Sequence, residues 1–267
     1  MSADAPAVRP PDKTAVRPPD NTAASGVALA PDKSPDRIAG MFDAIAPRYD
    51  LLNRLLSAGI DRRWRMRAID ALALTGHETV IDVCAGTADV ALEARAPRRG
   101  SARAGRVVAV DFAGAMLSLG LEKVRAAGEA RAIAVIRGDA MQLPVADASA
   151  DAVTIAFGIR NVQTASRACA EMARVLKPGG RLAILEFGVP RLPGLGGLYR
   201  WYFKAVLPRV GRLISGHNAA YSYLPASVGT FTPPEEFARM LEGAGFTAVE
   251  ADPLTIGIVY LYTARRV

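Results

Sequence analysis

The chain has 267 residues, of which 51% are hydrophobic and 22% are charged. This balance is typical of a soluble globular protein and excludes intrinsic disorder over most of the length. Lysine and arginine total 33 against 26 aspartates and glutamates, so the formal net charge is +7. A basic chain favours an anionic partner, a membrane surface or nucleic acid, and the charge alone does not decide among them.

The cysteines and histidines are few and scattered. Cys84 and Cys169 lie far apart, and the only histidines are His77 and His217. No spacing among them resembles a zinc site or a disulfide framework, so we expect no metal and a cytoplasmic location. The sequence also lacks a run of 18 apolar residues and an apolar secretion-signal core, which argues against membrane spanning and export.

Residues 1–36 are expected to form a disordered, proline-rich tail. They contain an almost exact tandem repeat, AVRPPDKT at 7–14 and AVRPPDNT at 15–22. Proline at this density removes backbone donors, and the tail has too few large apolar residues to offset the entropy of ordering. A partner-binding role and an inert leader both remain open for it.

A helical cap is predicted over residues 37–76, where we expect two or three helices. The apolar residues that recur at helical spacing are Ile38, Phe42, Ile45, Leu51, Leu52, Leu55 and Leu56.

Beyond the cap, short apolar runs alternate with helical segments. The predicted order is strand 79–83, helix 88–96, strand 106–111, helix 113–127, strand 132–137, strand 151–157, helix 165–176 and strand 181–187. Strands that are apolar on both faces belong in a mostly parallel sheet covered by helices. Two later runs, 246–252 and 255–264, are expected to close the sheet as an antiparallel pair behind a helix. The fold class is therefore α/β, a doubly wound, Rossmann-like seven-stranded sheet in one domain over 37–267, with a cofactor-binding core over 77–187.

A basic, aromatic stretch over 188–233 interrupts this alternation. An insertion of this length in a compact domain is usually functional. Its aromatic and leucine side chains, including Trp201, are mixed with arginine and lysine over 191–214. This composition suits an amphipathic helix at the surface of an anionic membrane. A cover packed over the sheet and a homodimer interface are the alternatives.

Open parallel sheets bind ligands at the carboxyl ends of their strands. The first strand ends in DVCAGTAD, with Asp82, Gly86, Thr87 and Asp89 at the turn. This turn lacks the G-x-G-x-x-G pattern of dinucleotide sites, and its carboxylates would repel a pyrophosphate. A ligand with a positive centre and an amino-acid end suits them better.

The next two strands also end in acidic residues. Asp111 follows the second strand, where a carboxylate can accept hydrogen bonds from both hydroxyls of a ribose. Its alternative role is the N-cap of the helix at 113–127. Asp139 and Ala140 follow the third strand, where the aspartate can accept a hydrogen bond from an adenine amino group.

Together these segments resemble class I S-adenosylmethionine-dependent methyltransferases, and more narrowly the C-methyltransferases of ubiquinone and menaquinone biosynthesis. The resemblance runs from about residue 37 to the C-terminus, and the segments RVLKPGG and GDA within it recur in many methyltransferases. More specific to the narrower family are PRYDLLN, SAGIDRRWR and FGIRN. Two departures from the family are Ala88, where glycine is usual, and Ala156, where serine is common.

The resemblance implies that Thr87, Asp111, Asp139 and Ala140 contact S-adenosylmethionine. It also implies methyl transfer to a ring carbon of a reduced, polyprenylated quinone. Positions that follow the fourth strand are then candidates for catalysis: Arg160 would hold the developing oxyanion, and Asn161 would orient the ring. A carboxylate clamp or a helix cap is the alternative for Arg160.

Tyr49, followed by Asp50, is expected either to reach over the ligands as part of a lid or to lie on an ordinary amphipathic helix. His217 is a candidate base, with a surface or capping role as the alternative.

The substrate that we expect is demethylmenaquinol, because AYSYLPASV resembles the demethylmenaquinone branch of the family. A benzoquinol of the ubiquinone pathway, or another small molecule such as a sterol, phospholipid or phenol, remains an alternative on the same fold. A silent binding protein is a further alternative. Nucleic acid is not expected as a partner, because the basic residues are dispersed and no base-stacking motif is present. A cytoplasmic enzyme that contacts the membrane peripherally would meet a lipid-tailed quinol.

Overall fold

The computed structural model describes residues 32–97, 102–190 and 218–267. The predictions made for the repeat tail over residues 1–31 and for the basic segment 191–217 lie outside the described residues. The same holds for Trp201 and His217, which belong to that segment.

Two helices form the N-terminal cap, α1 (Pro35–Leu56) and α2 (Asp61–Ala71). Helix α1 begins within the predicted tail, because the fixed φ angle of proline suits the first turn of a helix. The cap buries Ile38 and Ile45, as the helical spacing predicts. The burial that the same spacing predicts is wrong for Leu51 and Leu55, which are 54% and 53% exposed.

Seven strands form one sheet in the order β3-β2-β1-β4-β5-β7-β6. The strands are β1 (Thr79–Val83), β2 (Arg106–Asp111), β3 (Ile133–Arg137), β4 (Ala150–Ala156), β5 (Leu176–Phe187), β6 (Phe246–Leu254) and β7 (Val259–Arg266). Strands β1 to β5 pair in parallel, and β7 runs antiparallel to both β5 and β6. The predicted doubly wound α/β sheet and its antiparallel closing pair are confirmed. Strand β5 begins earlier than predicted, since Leu176 already pairs with Ala150.

The described residues include five further helices. They are α3 (Asp89–Arg95), α4 (Gly114–Ala126), α5 (Ala165–Val175), α6 (Asn218–Gly229) and α7 (Pro234–Gly243). Short 3-10 turns lie at Ile159–Asn161 and Thr255–Gly257. None of the helices in the described ranges is long and apolar enough to cross a membrane.

The sheet is buried on both faces. Successive residues of a strand point to opposite faces, and Ile81 packs in one buried apolar cluster while Val80 packs in the other. Helix α5 contributes Met172 to the first cluster, and α2 contributes Trp64 to the second. Burial on both faces explains why the strands are continuously apolar. It also leaves the strand ends as the part of the sheet where polar groups can meet a ligand.

Candidate active site

A cleft of ≈ 420 Å³ opens where β1, β2 and β4 end, at the point where the strand order reverses. Helix α1 contributes an aromatic wall, and the loops that follow the three strands contribute the remainder. The lining residues are Phe42, Tyr49, Cys84, Gly86, Asp111, Phe112, Met116, Ala156, Phe157, Gly158, Asn161 and Val162. Of the residues that the sequence singled out, the cleft therefore brings together Tyr49, Gly86, Asp111 and Asn161.

The turn after β1 has an unusual backbone. Cys84, Gly86 and Ala88 all have positive φ angles, of 54°, 54° and 62°. Left-handed backbone is costly for residues with a Cβ, so a turn built this way must be held by its surroundings. Helix α4 presses on it so closely that a Cβ at Gly120 would lie 3.1 Å from the carbonyl carbon of Thr87. Small residues thus bring the backbone of this turn up to the cleft.

Asp111 joins this turn to the second strand. One carboxylate oxygen accepts a hydrogen bond from the N–H of Gly86 at 2.8 Å, and the other accepts one from Ala113 at 2.9 Å. Asp111 therefore holds the backbone that leads into α4 and also lines the cleft. The N-cap of α4 is Ala113, so the N-cap alternative is wrong, and the ribose contact stays a prediction. Burial raises the pKa of this carboxyl, and these backbone hydrogen bonds partly oppose the rise.

Asp82 lies at the end of β1 and is 1% exposed. Neither oxygen of its carboxylate accepts a hydrogen bond among the described residues. Burial raises its pKa well above the ordinary value, and the nearby Asp111 carboxylate adds to the rise. A buried carboxylate without a partner is costly unless a cation or donor satisfies it. This pair of acidic groups therefore suits a ligand that carries positive charge and hydroxyl donors.

Thr87 and Asp89 take part in a polar cluster. The Thr87 hydroxyl donates to Asp50 at 2.7 Å. The Asp89 carboxylate contacts Lys123 and lies 3.6 Å from the guanidinium of Arg65. Neither residue is among those that line the cleft. The ligand contacts expected for these two residues stay a prediction.

Asp139 and Ala140 are not among the residues that line the cleft. Asp139 is partly exposed and accepts a hydrogen bond from the N–H of Met141 at 2.8 Å, which stabilises its own turn. Ala140 is 5% exposed and packs in the apolar core. The direct cofactor contacts expected for these two residues stay a prediction.

Arg160 forms a buried ion pair that the sequence analysis did not identify. Its guanidinium donates to Glu186 at 2.8 Å, and its backbone N–H donates to the other carboxylate oxygen at 3.1 Å. The side chains of Arg160 and Glu186 are 7% and 0% exposed. The guanidinium also lies 5.3 Å from the centre of the Phe187 ring. The carboxylate clamp left open as an alternative is therefore present, and its partner is the acidic residue that ends β5.

Beside this pair, several polar atoms lack a partner. The Nε of Arg160, the Oδ1 of Asn161 and the hydroxyl of Tyr223 are buried and make no hydrogen bond among the described residues. Tyr223 lies on α6, which also approaches the 3-10 turn that carries Arg160. Of these three residues, Asn161 lines the cleft, and Arg160 directly precedes it in the 3-10 turn. Tyr223 belongs to the segment AYSYLPASV, but its place relative to Arg160 depends on how α6 packs.

The aromatic residues around the pair are tightly packed. Trp64 lies edge to face with Phe187 at 6.4 Å between ring centres, and Phe157 lies 4.6 Å from Phe187. The Trp64 indole donates to the hydroxyl of Thr255 at 2.8 Å. Trp64 is 7% exposed and packs in the apolar core. This cluster keeps the Arg160 ion pair dry, which strengthens its electrostatic interactions.

The described residues hold no group of His, Cys, Asp and Glu side chains that could bind a metal ion. Cys84 is at the cleft, but burial raises the pKa of its thiol well above the ordinary value. A thiol in this state is a poor ligand and a poor nucleophile.

Comparison with known proteins gives the family of the chain. Residues 31–266 match the model of the ubiE/COQ5 methyltransferase family. The chain belongs to this family. A curated relative from Syntrophotalea carbinolica, named ubiquinone/menaquinone biosynthesis C-methyltransferase UbiE, is 50% identical over 228 residues, which cover 85% of this chain and 92% of the relative. A relative from Thermus thermophilus, named demethylmenaquinone methyltransferase, is 45% identical over 85% of this chain and all of its own length.

Solved structures show the same fold at low identity. A methyltransferase from Haloferax volcanii, solved with its Trm112 activator, has a TM-score of 0.60 at 17% identity and covers 84% of this chain and 97% of its own. An S-adenosylmethionine-dependent methyltransferase from Thermotoga maritima has a TM-score of 0.58 at 19% identity. The match covers 85% of this chain and 99% of the Thermotoga maritima chain. The predicted fold class, family, enzyme class and cofactor are thereby confirmed.

The residues at the cleft fit that cofactor. S-adenosylmethionine carries a sulfonium, an amino-acid end and a ribose. The carboxylate of Asp111, which lines the cleft, matches its hydroxyl groups. The carboxylate of Asp82 is buried near Asp111 and has no hydrogen-bond partner among the described residues, which suits a cationic ligand. The small-residue turn around Gly86 leaves room for close approach, since a Cβ there would meet no atom within 4 Å.

Proposed function

We propose that this chain methylates a ring carbon of demethylmenaquinol, the reduced and polyprenylated precursor of menaquinol. The observation that carries the proposal is the juxtaposition, at one cleft, of Asp111 and Gly86 on one side with Tyr49 and Asn161 on the other. The first pair suits a cofactor, and the second pair suits an aromatic acceptor. C-methylation in quinone biosynthesis is also what the names of the relatives describe.

Methyl transfer needs an electron-rich carbon held in line with the methyl donor while water is excluded. When bound, S-adenosylmethionine supplies a methyl group on a positively charged sulfur. The methyl group would pass to a ring carbon of the quinol, and the proton of that carbon would be lost to bulk solvent as the ring regains its aromatic form. We propose that the protein contributes by placing the two ligands and by stabilising the phenolate form of the quinol.

For the phenolate, we propose the free Nε–H of Arg160 as the donor. Because its remaining guanidinium is paired with Glu186, Arg160 cannot act as an unpaired cation, but it presents a donor of fixed orientation. Preorganised donors of this kind stabilise a developing oxyanion. Asn161, which lines the cleft, donates to the carbonyl of Phe157 and keeps its own oxygen for the quinol.

Tyr49 extends from helix α1 into the cleft, where burial raises the pKa of its phenol. We propose that the neutral ring of Tyr49 covers the quinol and that its hydroxyl remains protonated during turnover. Phe42 packs against Tyr49 edge to face at 6.0 Å between ring centres, so the two rings form one apolar wall. Such a wall excludes water from the reacting carbon.

A polyprenylated substrate also requires access to a bilayer. We propose that the basic, aromatic segment 191–214 contacts the cytoplasmic membrane surface. The test is co-sedimentation with vesicles of anionic and of neutral lipid. Binding to neither vesicle would remove the membrane contact and leave the methyl transfer to be tested separately.

The reaction is tested by turnover. Purified protein is mixed with S-adenosylmethionine and either a chemically reduced, short-tailed demethylmenaquinol or the corresponding benzoquinol, and the added methyl is located by mass spectrometry. We expect methylation of the naphthoquinol ring carbon. Methylation of both quinols would widen the proposal to the ubiquinone pathway. Transfer to neither quinol, although S-adenosylhomocysteine binds, would overturn the quinol assignment.

A further inference from the structure

Lys123 of helix α4 contacts three elements at once, far from the ion pair described above. Its ammonium group donates to Asp50 of α1 at 2.8 Å and to the hydroxyl of Thr87 at 3.0 Å. It also contacts the carboxylate of Asp89, the first residue of α3. One cation therefore joins the cap helix, the turn after β1 and the helix that follows this turn.

The position of Lys123 on α4 is set by close backbone packing. Gly120, one helical turn earlier, presses on the same turn, where a Cβ would lie 3.2 Å from the Cβ of Ala88. Residues three apart on a helix lie on the same face. The face of α4 that supports the strained turn therefore also carries the ammonium group to it.

Helix α1 is held on α4 at a second point two turns away. Asp43, seven residues before Asp50, accepts a hydrogen bond from the N–H of Ala115 at 2.8 Å. Between these two polar contacts, Ala46 packs on Ala113 and Met116 in a small apolar cluster. Only the contact at Asp50 depends on a side-chain cation, so we expect that end of α1 to be the one that a substitution can release.

Charge explains why the contact matters. Asp50 and Asp89 both reach the same ammonium group, with side chains that are 40% and 34% exposed. Without Lys123, two carboxylates would lie close together at a partly shielded position, where like charges repel. The repulsion would push α1 away from the turn. Because Tyr49 directly precedes Asp50, it would move the aromatic wall of the cleft.

We propose that Lys123 is a positioning residue. It clamps Asp50 to Thr87 and Asp89, and so fixes the turn after β1, on the cofactor side of the cleft, against the helix that carries Tyr49. The inference rests on the proposed assignment of the cleft as the site of methyl transfer. It predicts that the loss of Lys123 weakens cofactor binding much more than it slows the transfer itself, because a saturating cofactor can still select the closed position of α1.

The test compares Lys123→Met with Lys177→Met. Lys177 is a matched control, since it also pairs with an aspartate, Asp151 at 2.6 Å, but lies at the opposite end of the sheet. For Lys123→Met we expect S-adenosylhomocysteine to bind about tenfold more weakly by calorimetry, the order expected for losing a coupled charge contact. The KM for S-adenosylmethionine should rise to a similar extent, with kcat within about threefold. Lys177→Met should change neither.

Two further variants separate the loss of the clamp from a general loss of stability. Lys123→Arg keeps the cation and should restore most of the affinity. Lys123→Met combined with Asp50→Asn removes one of the repelling carboxylates and should recover part of the affinity. Hydrogen exchange should speed up in α1 of Lys123→Met, while the amides of β4 keep their protection.

The outcomes distinguish a failure of the Lys123 clamp from a failure of the site assignment. If the wild-type protein binds no S-adenosylhomocysteine, the site assignment fails, and the clamp fails with it. If the wild-type protein binds and Lys123→Met binds equally well, with α1 still protected, only the clamp is overturned. Weaker binding with protection lost in β4 as well as α1 would also overturn it, because the effect would then be general unfolding.

Discussion

Gly158 and Cys84 approach so closely that a Cβ on the glycine would lie 2.4 Å from the Cβ of the cysteine. The two residues follow β4 and β1, so their contact brings together the loop that carries Arg160 and the turn that carries Gly86. Both line the cleft. The separation of the two sides of the proposed active site is therefore fixed by the absence of one side chain.

This contact predicts that Gly158→Ala is destabilising. Overpacking in a well-packed region costs about 1–3 kcal/mol, and we expect a loss of that size in the free energy of unfolding, with weaker binding of S-adenosylhomocysteine. Gly114→Ala is the control, since a Cβ there would meet no atom within 4 Å. Adding Cys84→Gly removes the opposing Cβ and suits the positive φ at that position, so the double variant should recover stability. A fully stable Gly158→Ala would contradict the prediction.

Asp82 and Asp151 predict opposite pH dependences. Burial raises the pKa of Asp82 well above its unfolded value, so its contribution to stability is lost as the pH rises above about 4. The neutral variant Asp82→Asn should therefore be more stable than wild type at pH 8, and the difference should shrink toward pH 4. Calorimetry should show weaker binding of S-adenosylhomocysteine by the same variant.

Asp151 is the matched comparison. Burial opposes the shift, but hydrogen bonds from Lys177 and from the N–H of Thr79 lower its pKa. Its contribution to stability is present above the unfolded pKa and is lost on acidification. Asp151→Asn should therefore be less stable than wild type at pH 7, with the deficit disappearing as the pH falls below about 4. Urea unfolding at several pH values measures the free energy of unfolding of both variants. The same pH trend in Asp82→Asn and Asp151→Asn would contradict the opposite pKa shifts.

The Arg160–Glu186 pair predicts a separation of stability from activity. Arg160→Met leaves a fully buried carboxylate without its cation, which costs about 3–5 kcal/mol. Adding Glu186→Gln removes the unpaired charge and should restore most of the free energy of unfolding. Turnover of the quinol should remain reduced about 100-fold, because the oxyanion donor is still missing. A double variant with wild-type turnover would show that Arg160 acts only through the fold.

Glu78 predicts acid sensitivity outside the site. Burial opposes the shift, but N–H groups of Thr75 and Gly76 and the hydroxyl of Thr75 donate to its carboxylate and lower its pKa to about 2. Arg181 adds an ion pair at 3.1 Å. Glu78→Gln should lose roughly 2 kcal/mol of unfolding free energy at pH 7. The loss should diminish between pH 5 and pH 2 in chemical denaturation, and a loss that is independent of pH would contradict the ionic origin.

Local sequence pattern is enough to predict the order of the elements and the edge of the sheet where the cleft lies. Strands buried on both faces must be apolar throughout, and parallel strands must end at one edge, so apolar runs and the acids that follow them predict both the sheet and the edge where Asp82 and Asp111 meet. The family-specific segments around Tyr49 and Arg160 also pointed to residues that lie at or beside the cleft. These signals are local in the chain.

The pairing of charges, in contrast, depends on tertiary packing. Arg160 meets Glu186, 26 positions away, and Lys123 meets Asp50, 73 positions away. No periodicity encodes such contacts, because they depend on how helices and loops pack in three dimensions. For the same reason Asp89 belongs to an ion cluster rather than to the lining of the cleft, and Leu51 is exposed although its helical spacing predicts burial. Local pattern sets where backbone and apolar surface go, whereas packing sets which polar groups remain available for a ligand.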